Sequence, residues 1–352
     1  SRASRAGGAR SRRLALVGLT VLAVGVSGAS LAVGAADVPF ERVVSVLAGS
    51  LGLPVAGSSD AWETTIVLQL RLPRLLLGLL VGSALALSGA LMQGIFRNPL
   101  ADPSLIGVSS GAALGAASMI VIGHRLLPDA SGLVGAFLVP IAAFGGGILA
   151  TVVVHRLSIR NGRTAVMTML LAGIAINALA SAGTGLWTFT ADDRELRDLA
   201  FWTLGSLAGA SWGPLAVLAA FVAFGTAYAL RCATSLDAML LGEAEALHIG
   251  IDGERIRRRA VACTAAMVGS AVALSGLIFF VGLVVPHMIR LVAGPGHRFL
   301  LPASAILGGT LLVGADIGAR LAVAPAELPI GIVTALVGAP FFLALVRRGG
   351  HA

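Results

Sequence analysis

The stretch Leu75-Leu-Leu-Gly-Leu-Leu-Val-Gly-Ser-Ala-Leu-Ala-Leu-Ser-Gly-Ala-Leu-Met-Gln-Gly-Ile95 holds no charge and no proline. As a helix it crosses about 30 Å of hydrocarbon. Working outward, the same kind of run recurs at 14–34, 104–122, 133–154, 164–187, 213–230, 260–276, 277–293, 300–318 and 328–346. With 75–95 this predicts about ten transmembrane helices. Hydrophobic residues make up 57% of the 352 and charged residues 12%, about half the charge that covers a soluble domain. Helices are expected because lipid offers backbone groups no partners. The runs lack the apolar–polar alternation of barrel strands. The 46 glycines suit closely packed membrane helices. The first run has a core longer than a signal-peptide h-region of about 7–15 residues. It reads as the first membrane helix.

Charge narrows the function. All 25 basic residues are Arg and no Lys is present. A phosphate-binding P-loop needs a Lys, and Schiff-base catalysis needs its amine. Any ATP-driven step therefore belongs to a partner. The Arg residues lie between apolar runs instead of in one nucleic-acid-binding patch. They crowd into 1–13, 156–163, 255–259 and 347–348, which predicts both termini in the cytoplasm. Cys232 and Cys263 read as small packing residues, not as a disulfide or zinc pair.

An internal repeat is visible. Val81-Gly-Ser-Ala-Leu-Ala-Leu-Ser-Gly89 and Val268-Gly-Ser-Ala-Val-Ala-Leu-Ser-Gly276 differ only at Leu85 and Val272. The same spacing separates Pro99 from Pro286. The two copies fall in oppositely directed spans, the mark of an inverted-topology repeat. The chain reads as an Arg-rich cytoplasmic tail (1–13), one transmembrane domain (14–348) with repeat halves at about 64–190 and 255–348, and a short tail (349–352).

Further motifs carry a resemblance. Arg71-Leu-Pro-Arg74, Ser88-Gly-Ala-Leu-Met-Gln93, Asn98-Pro-Leu-Ala-Asp-Pro103 and Gly107-Val-Ser-Ser-Gly111 lie in the first half. Leu241-Gly-Glu-Ala-Glu-Ala-Leu-His-Ile-Gly250, Phe280-Val-Gly-Leu-Val-Val-Pro-His287, Ala315-Asp-Ile-Gly-Ala-Arg320, Glu327-Leu-Pro-Ile-Gly-Ile-Val-Thr334 and Gly338-Ala-Pro340 lie in the second. In this order, over about residues 64–348, the chain resembles FecCD-type permeases, the type II ABC importers of ferric siderophores, haem and cobalamin. The resemblance implies a homodimer in the bacterial inner membrane with its pathway on the dimer axis. It also implies two cytoplasmic ATPase subunits that carry ATP and Mg, and a periplasmic binding protein. No cofactor or metal is expected on this chain.

The resemblance makes segment 235–252 the coupling element. Leu236, Met239, Leu240 and Leu247 can share a helical stripe, Gly242 and Gly250 permit tight turns, and Glu243 and Glu245 face a partner or solvent. Arg71 and Arg320 match positions that dock the binding protein, where rim charges steer and register a partner. Local alternatives are an Arg320–Asp316 pair one turn apart and headgroup anchoring of Arg71 and Arg74. The loop Ala191–Trp212 looks most like haem permeases. Arg194 and Arg197 are candidate partners for propionates, and Phe201 and Trp202 for a flat macrocycle. Asp192, Asp193, Glu195 and Asp198 could instead neutralise both Arg, and the aromatics could be interfacial anchors. His124, His248, His287 and His297 are read as structural or solvated.

Two rivals remain. Ser109 in Gly107-Val-Ser-Ser-Gly111, with His287 as base, would suit an intramembrane serine hydrolase, but that pattern needs a strand–turn–helix elbow. An ion-coupled secondary transporter would place ionisable residues mid-membrane, and the spans carry almost none.

Overall fold

The structure is a computed structural model. It describes the backbone except at 1, 35, 37, 54–59, 127–131, 161, 325 and 350–352, and the side chains except at those positions and at 2–10, 124, 125, 126, 132–136, 345, 346, 348 and 349. The fold is all-α and polytopic. In order come α1 (Arg2–Ala32), α2 (Phe40–Ser50), α3 (Ala61–Thr65), a π-helical stretch (Ile66–Arg71), α4 (Leu72–Phe96), a 3₁₀ turn (Pro103–Ile106), α5 (Val108–Leu126) and α6 (Gly132–Ser158). A two-stranded ribbon follows, β1 (Ile159–Arg160) with β2 (Arg163–Thr164). Then come α7 (Val166–Thr190), α8 (Asp193–Leu204), α9 (Trp212–Leu241), α10 (Glu243–His248), α11 (Gly253–Ser275), α12 (Val281–Ala293), α13 (His297–Ala322) and α14 (Ile330–Gly349).

Each expected span falls on a helix, with corrections at the edges. Residues 2–13 of the expected tail are helical and form the start of α1. Helix α4 extends a helical run that begins at Ala61, so the crossing is 36 residues long. The run 104–122 starts with a 3₁₀ turn because Pro103 and Gly107, at φ 82°, break the α pattern. The run 277–293 keeps only α12, of 13 residues. At 1.5 Å per residue α12 spans about 20 Å, less than the hydrocarbon thickness.

Helix α4 is the central column. Leu, Ala and Gly fill it, Pro73 sits at its junction with the π-helical stretch, and Arg97 ends it in a left-handed conformation at φ 50°. It packs most extensively on α13 and then on α11 and α12, while α11 also packs on α6 and α5. The two copies of the repeated nonapeptide therefore each lie against helices of the other half. Glycines set the spacing. A Cβ on Gly82 would lie 2.6 Å from the Gly308 carbonyl carbon, and one on Gly89 2.5 Å from that of Gly282.

The repeat diverges at its last residue. Gly89 is mid-helix, whereas Gly276 adopts φ 68° and ends α11. The chain then runs irregularly to Phe280, which holds φ 68° without being glycine, a backbone state that costs a bulky residue energy. Gly276 and Ile278 of this non-helical stretch are buried, while Phe279 is exposed. Ser206 N donates to Ser275 O at 2.8 Å, and Ile330 N to Gly205 O at 3.1 Å. The end of α8, the break after α11 and the start of α14 are thus joined.

Candidate translocation, docking and coupling sites

Helix α8 begins at a capping box. The Asp192 carboxylate accepts from the Arg194 and Glu195 N–H groups at 2.9 and 2.8 Å, and Glu195 accepts from Asp192 N at 2.9 Å. Both acids are thereby turned to the helix end. Glu195, Leu199 and Trp202, spaced as one face, turn inward, with Leu199 seated beside Ala117 and Val121 of α5. Arg194, Arg197 and Phe201 share the opposite, exposed face, and Phe201 is 64% exposed. Among the described residues neither Arg is given an ion-pair partner. The expected aromatic pair is split: Phe201 points out and Trp202 packs on the main core.

Helix α7 leads into this end. Only Met169, Gly173 and Ala180 are buried, and Met167, Leu171, Ile174, Leu179, Leu186 and Phe189 are exposed. The helix is anchored on one side by Asn177. Its Nδ2 donates to Ser104 O at 3.2 Å, and its Oδ1 accepts from Ser110 Oγ.

Arg71 and Arg320, expected at the docking rim, are turned inward onto partners within the chain. Arg71 is 7% exposed. Its Nη1 donates to Leu31 O at 2.7 Å and Ala32 O at 2.9 Å, and its Nη2 donates to Ala36 O. Arg320 donates to Val33 O at 2.7 Å and Ser30 Oγ at 3.0 Å, and its Nε lies 3.1 Å from Asp316 Oδ2. The physical reason is the C-terminus of α1. Its last carbonyls have no intrahelical donors and carry the negative end of the helix dipole. Two guanidinium groups satisfy them. The local Arg320–Asp316 pair is present as well. Arg74 completes the network, bridging Asp316 at 2.9 Å and Glu327 at 2.8 and 2.9 Å. The hydrogen bonds from Arg74 hold the Glu327 carboxyl below the usual Glu range.

At the other end of the bundle lies segment 235–252. The predicted apolar stripe is divided. Leu236 and Met239 are fully buried, as the last turns of α9 continue into the core. Leu240 is half-buried and Leu247 is 61% exposed. The outward apolar set is Leu241, Leu247 and Ile249. Gly242 (φ 142°) and Gly250 (φ 81°) make the turns on either side of α10. Glu243 does not face solvent alone; it pairs with Arg257.

Close by, the His297 ring nitrogen Nδ1 lies 2.8 Å from Asp237 Oδ1, and Asp237 also accepts from His297 N at 2.7 Å. His297 is fully buried, so its reading as structural holds. His248 ends α10 in an exposed position. The side chain of His124 lies outside the described residues. Among the described residues no cluster of three or more His, Cys, Asp or Glu is placed to hold a metal ion.

The hydrolase reading fails on geometry. Ser109 lies in the first turn of α5, after a 3₁₀ turn and with no strand before it. Among the described residues no hydrogen bond joins it to His287.

Residues 10–348 match the model of the FecCD transport family. The chain belongs to that family. The hemin transport system permease protein HmuU of Yersinia pestis is 44% identical over 283 residues, covering 80% of this chain and 83% of that protein. The cobalamin import system permease protein BtuC of Halobacterium salinarum is 42% identical over 345 residues, covering 96% and 88%. Among solved structures, an inward-facing conformation of a metal-chelate type ABC transporter superposes with a TM-score of 0.81 at 31% identity, covering 95% of this chain and 98% of that one. This FecCD chain is thus a membrane-spanning permease of the ABC importer class that handles iron chelates, haem or cobalamin. Its family places the ATPase on separate subunits.

Sequence reasoning missed α2 and the inward turn of Arg71 and Arg320. The signal for α2 was present: Val43 and Val46 are buried and Phe40 and Val44 exposed on an 11-residue amphipathic helix. No signal foretold Phe280, because its left-handed backbone carries no glycine.

Proposed function

We propose that two copies of this chain form the membrane pathway of a haem importer in the bacterial inner membrane. Energy comes from ATP and Mg on two cytoplasmic ATPase subunits, and cargo from a periplasmic binding protein. The observation that carries the substrate is the exposed face of α8. Arg194 and Arg197 stand there without an ion-pair partner among the described residues, one turn from exposed Phe201. Two guanidinium groups beside an aromatic face suit a flat ligand with two carboxylates. The exposed apolar face of α7 suits a second copy and the pathway between them.

In this reading α8 lies on the periplasmic side, α7 runs across the membrane beside the pathway, and Leu241, Leu247 and Ile249 at α10 meet the ATPase. Alternating access follows: ATP binding moves the partner subunits, α10 transmits that movement, and the pathway opens to one side or the other. A cobalamin cargo is the second reading, supported by the BtuC relative that spans 96% of this chain. A ferric siderophore is the third cargo open to this family.

The test is ATP turnover by the complex reconstituted in nanodiscs with its binding protein. Haem-loaded binding protein is expected to stimulate turnover, while cobalamin-loaded and siderophore-loaded protein are not. Arg197→Ala should cut haem uptake by about tenfold, as loss of one charge-assisted contact does. Stimulation by cobalamin alone would replace haem with the second reading.

A further inference from the structure

Arg257 lies in the second turn of α11, within the Arg-rich stretch 255–259. It is 4% exposed, although its neighbours Arg255 and Arg258 face outward. Its guanidinium joins three elements. Nη2 donates to the Glu243 carboxylate at the start of α10. Nη1 donates to Glu254 Oε2 at 3.1 Å on α11 and to Thr164 O at 3.2 Å on β2. Glu254 grips the same Thr164 from its other side. It accepts from Thr164 N at 3.0 Å and Thr164 Oγ1 at 2.6 Å. Thr164 is buried and stands two residues before α7 begins.

The consequence lies in how α7 is held: along its length it packs on α5 and α6 and is tied by Asn177. Three of its residues are buried, and its α8 end leads into an exposed helix. The Thr164 clamp fixes its other end. On the far side of Arg257, the Glu243 side chain is 58% exposed, so α10 touches the clamp through a group that can move with it. A buried guanidinium with charged partners on two helices resists extension, because breaking either pair leaves it buried with one carboxylate partner fewer. Displacement of α10 therefore pulls on Thr164 before it disturbs the α4–α13 core.

We propose that Arg257 is the positioning residue through which movement of α10 reaches α7. The proposal rests on the reading of α10 as the ATPase-coupling element. It predicts that a chain without Arg257 still receives the ATP-driven movement at α10 but does not pass it to the pathway helix.

The experiment uses the complete complex in nanodiscs. Spin labels on Ala244 of α10 and Ser181 of α7 are each measured against a label on Leu291 of α12, with and without ATP. Uptake per ATP is measured in parallel. In the otherwise native chain both distances shift. In Arg257→Ala the α10 distance still shifts, the α7 distance does not, and uptake per ATP falls by about tenfold, the scale on which network mutations alter coupling. Arg257→Lys restores part of the α7 shift, since an ammonium can keep one of the two charge contacts. Glu243→Ala cuts only the exposed arm, so the clamp on Thr164 still folds, and it too abolishes the α7 shift.

An α7 shift of native size in Arg257→Ala or Glu243→Ala, with native uptake per ATP, overturns the proposal. If α10 itself fails to shift with ATP in the native chain, the coupling reading falls and takes this proposal with it. The two failures are thus told apart by which label stays still.

Discussion

Replacing Gly89 by alanine tests the packing that builds the bundle. A Cβ at this position would lie 2.5 Å from the Gly282 carbonyl carbon and 2.9 Å from its Cα. Ordinary carbon–carbon contact is about 3.5–4.0 Å. The Gly282 carbonyl oxygen is nearer still, so the α4 and α12 backbones must separate by more than about 1 Å, because the opposing atoms are main chain and cannot rotate aside. Such overpacking costs about 3 kcal/mol, at the upper end of its usual range. Replacing glycine by alanine in a helix returns about 1 kcal/mol. The net expectation is a loss of about 2 kcal/mol.

The neighbouring residue supplies a control of opposite sign. The Ser88 Oγ is buried with no hydrogen-bond partner among the described residues. Ser88→Ala should be neutral or stabilising by up to about 1 kcal/mol. Unfolding of the purified permease in detergent, followed by denaturant or heat, measures both. Gly89→Ala at or above native stability would refute the claimed backbone approach between α4 and α12.

Other outcomes follow from the two ends of the molecule. Arg71→Met removes the donor from the Leu31, Ala32 and Ala36 carbonyls and should lower stability by about 3 kcal/mol; a variant of native stability that no longer binds its binding protein would show that Arg71 serves docking instead. The Glu327 carboxyl is held below its unfolded pKa, so its contribution is complete above the usual Glu pKa and is lost as pH falls through the depressed folded value. Stability measured from about pH 6 to about pH 3 should therefore decline less in Glu327→Gln than in the native chain. Leu247→Ser should weaken ATPase binding without lowering the stability of the permease, because Leu247 is 61% exposed; a stability loss of more than about 1 kcal/mol would show that this residue packs internally.

Much of this was legible in the chain itself. Apolar runs of membrane length, lacking compensating charge, force helices whatever the tertiary arrangement, because lipid satisfies no backbone group. The absence of Lys removed a P-loop without reference to any fold. Gly242 and Gly250 announced turns around α10 because their positive φ angles suit glycine. These are local properties, set by each residue and its immediate neighbours.

The direction of individual side chains was another matter. Arg71 and Arg320 looked like rim charges because nothing local reveals that the end of α1, some 40 residues before Arg71 and far from Arg320, brings unpaired carbonyls to them. Leu236 and Leu247 fit one stripe on paper, yet Gly242 ends α9 between them and sends one into the core and the other outward. Gly89 and Gly276 close almost identical nonapeptides, but one continues a helix against Gly282 and the other ends a helix beside Gly205. Hydrophobic length determined that this chain spans a membrane, and its ordered motifs carried the resemblance to the FecCD permeases. Which donors meet which acceptors was decided by helices distant in sequence, since hydrogen-bond partners and close packing depend on three-dimensional proximity that local periodicity does not contain.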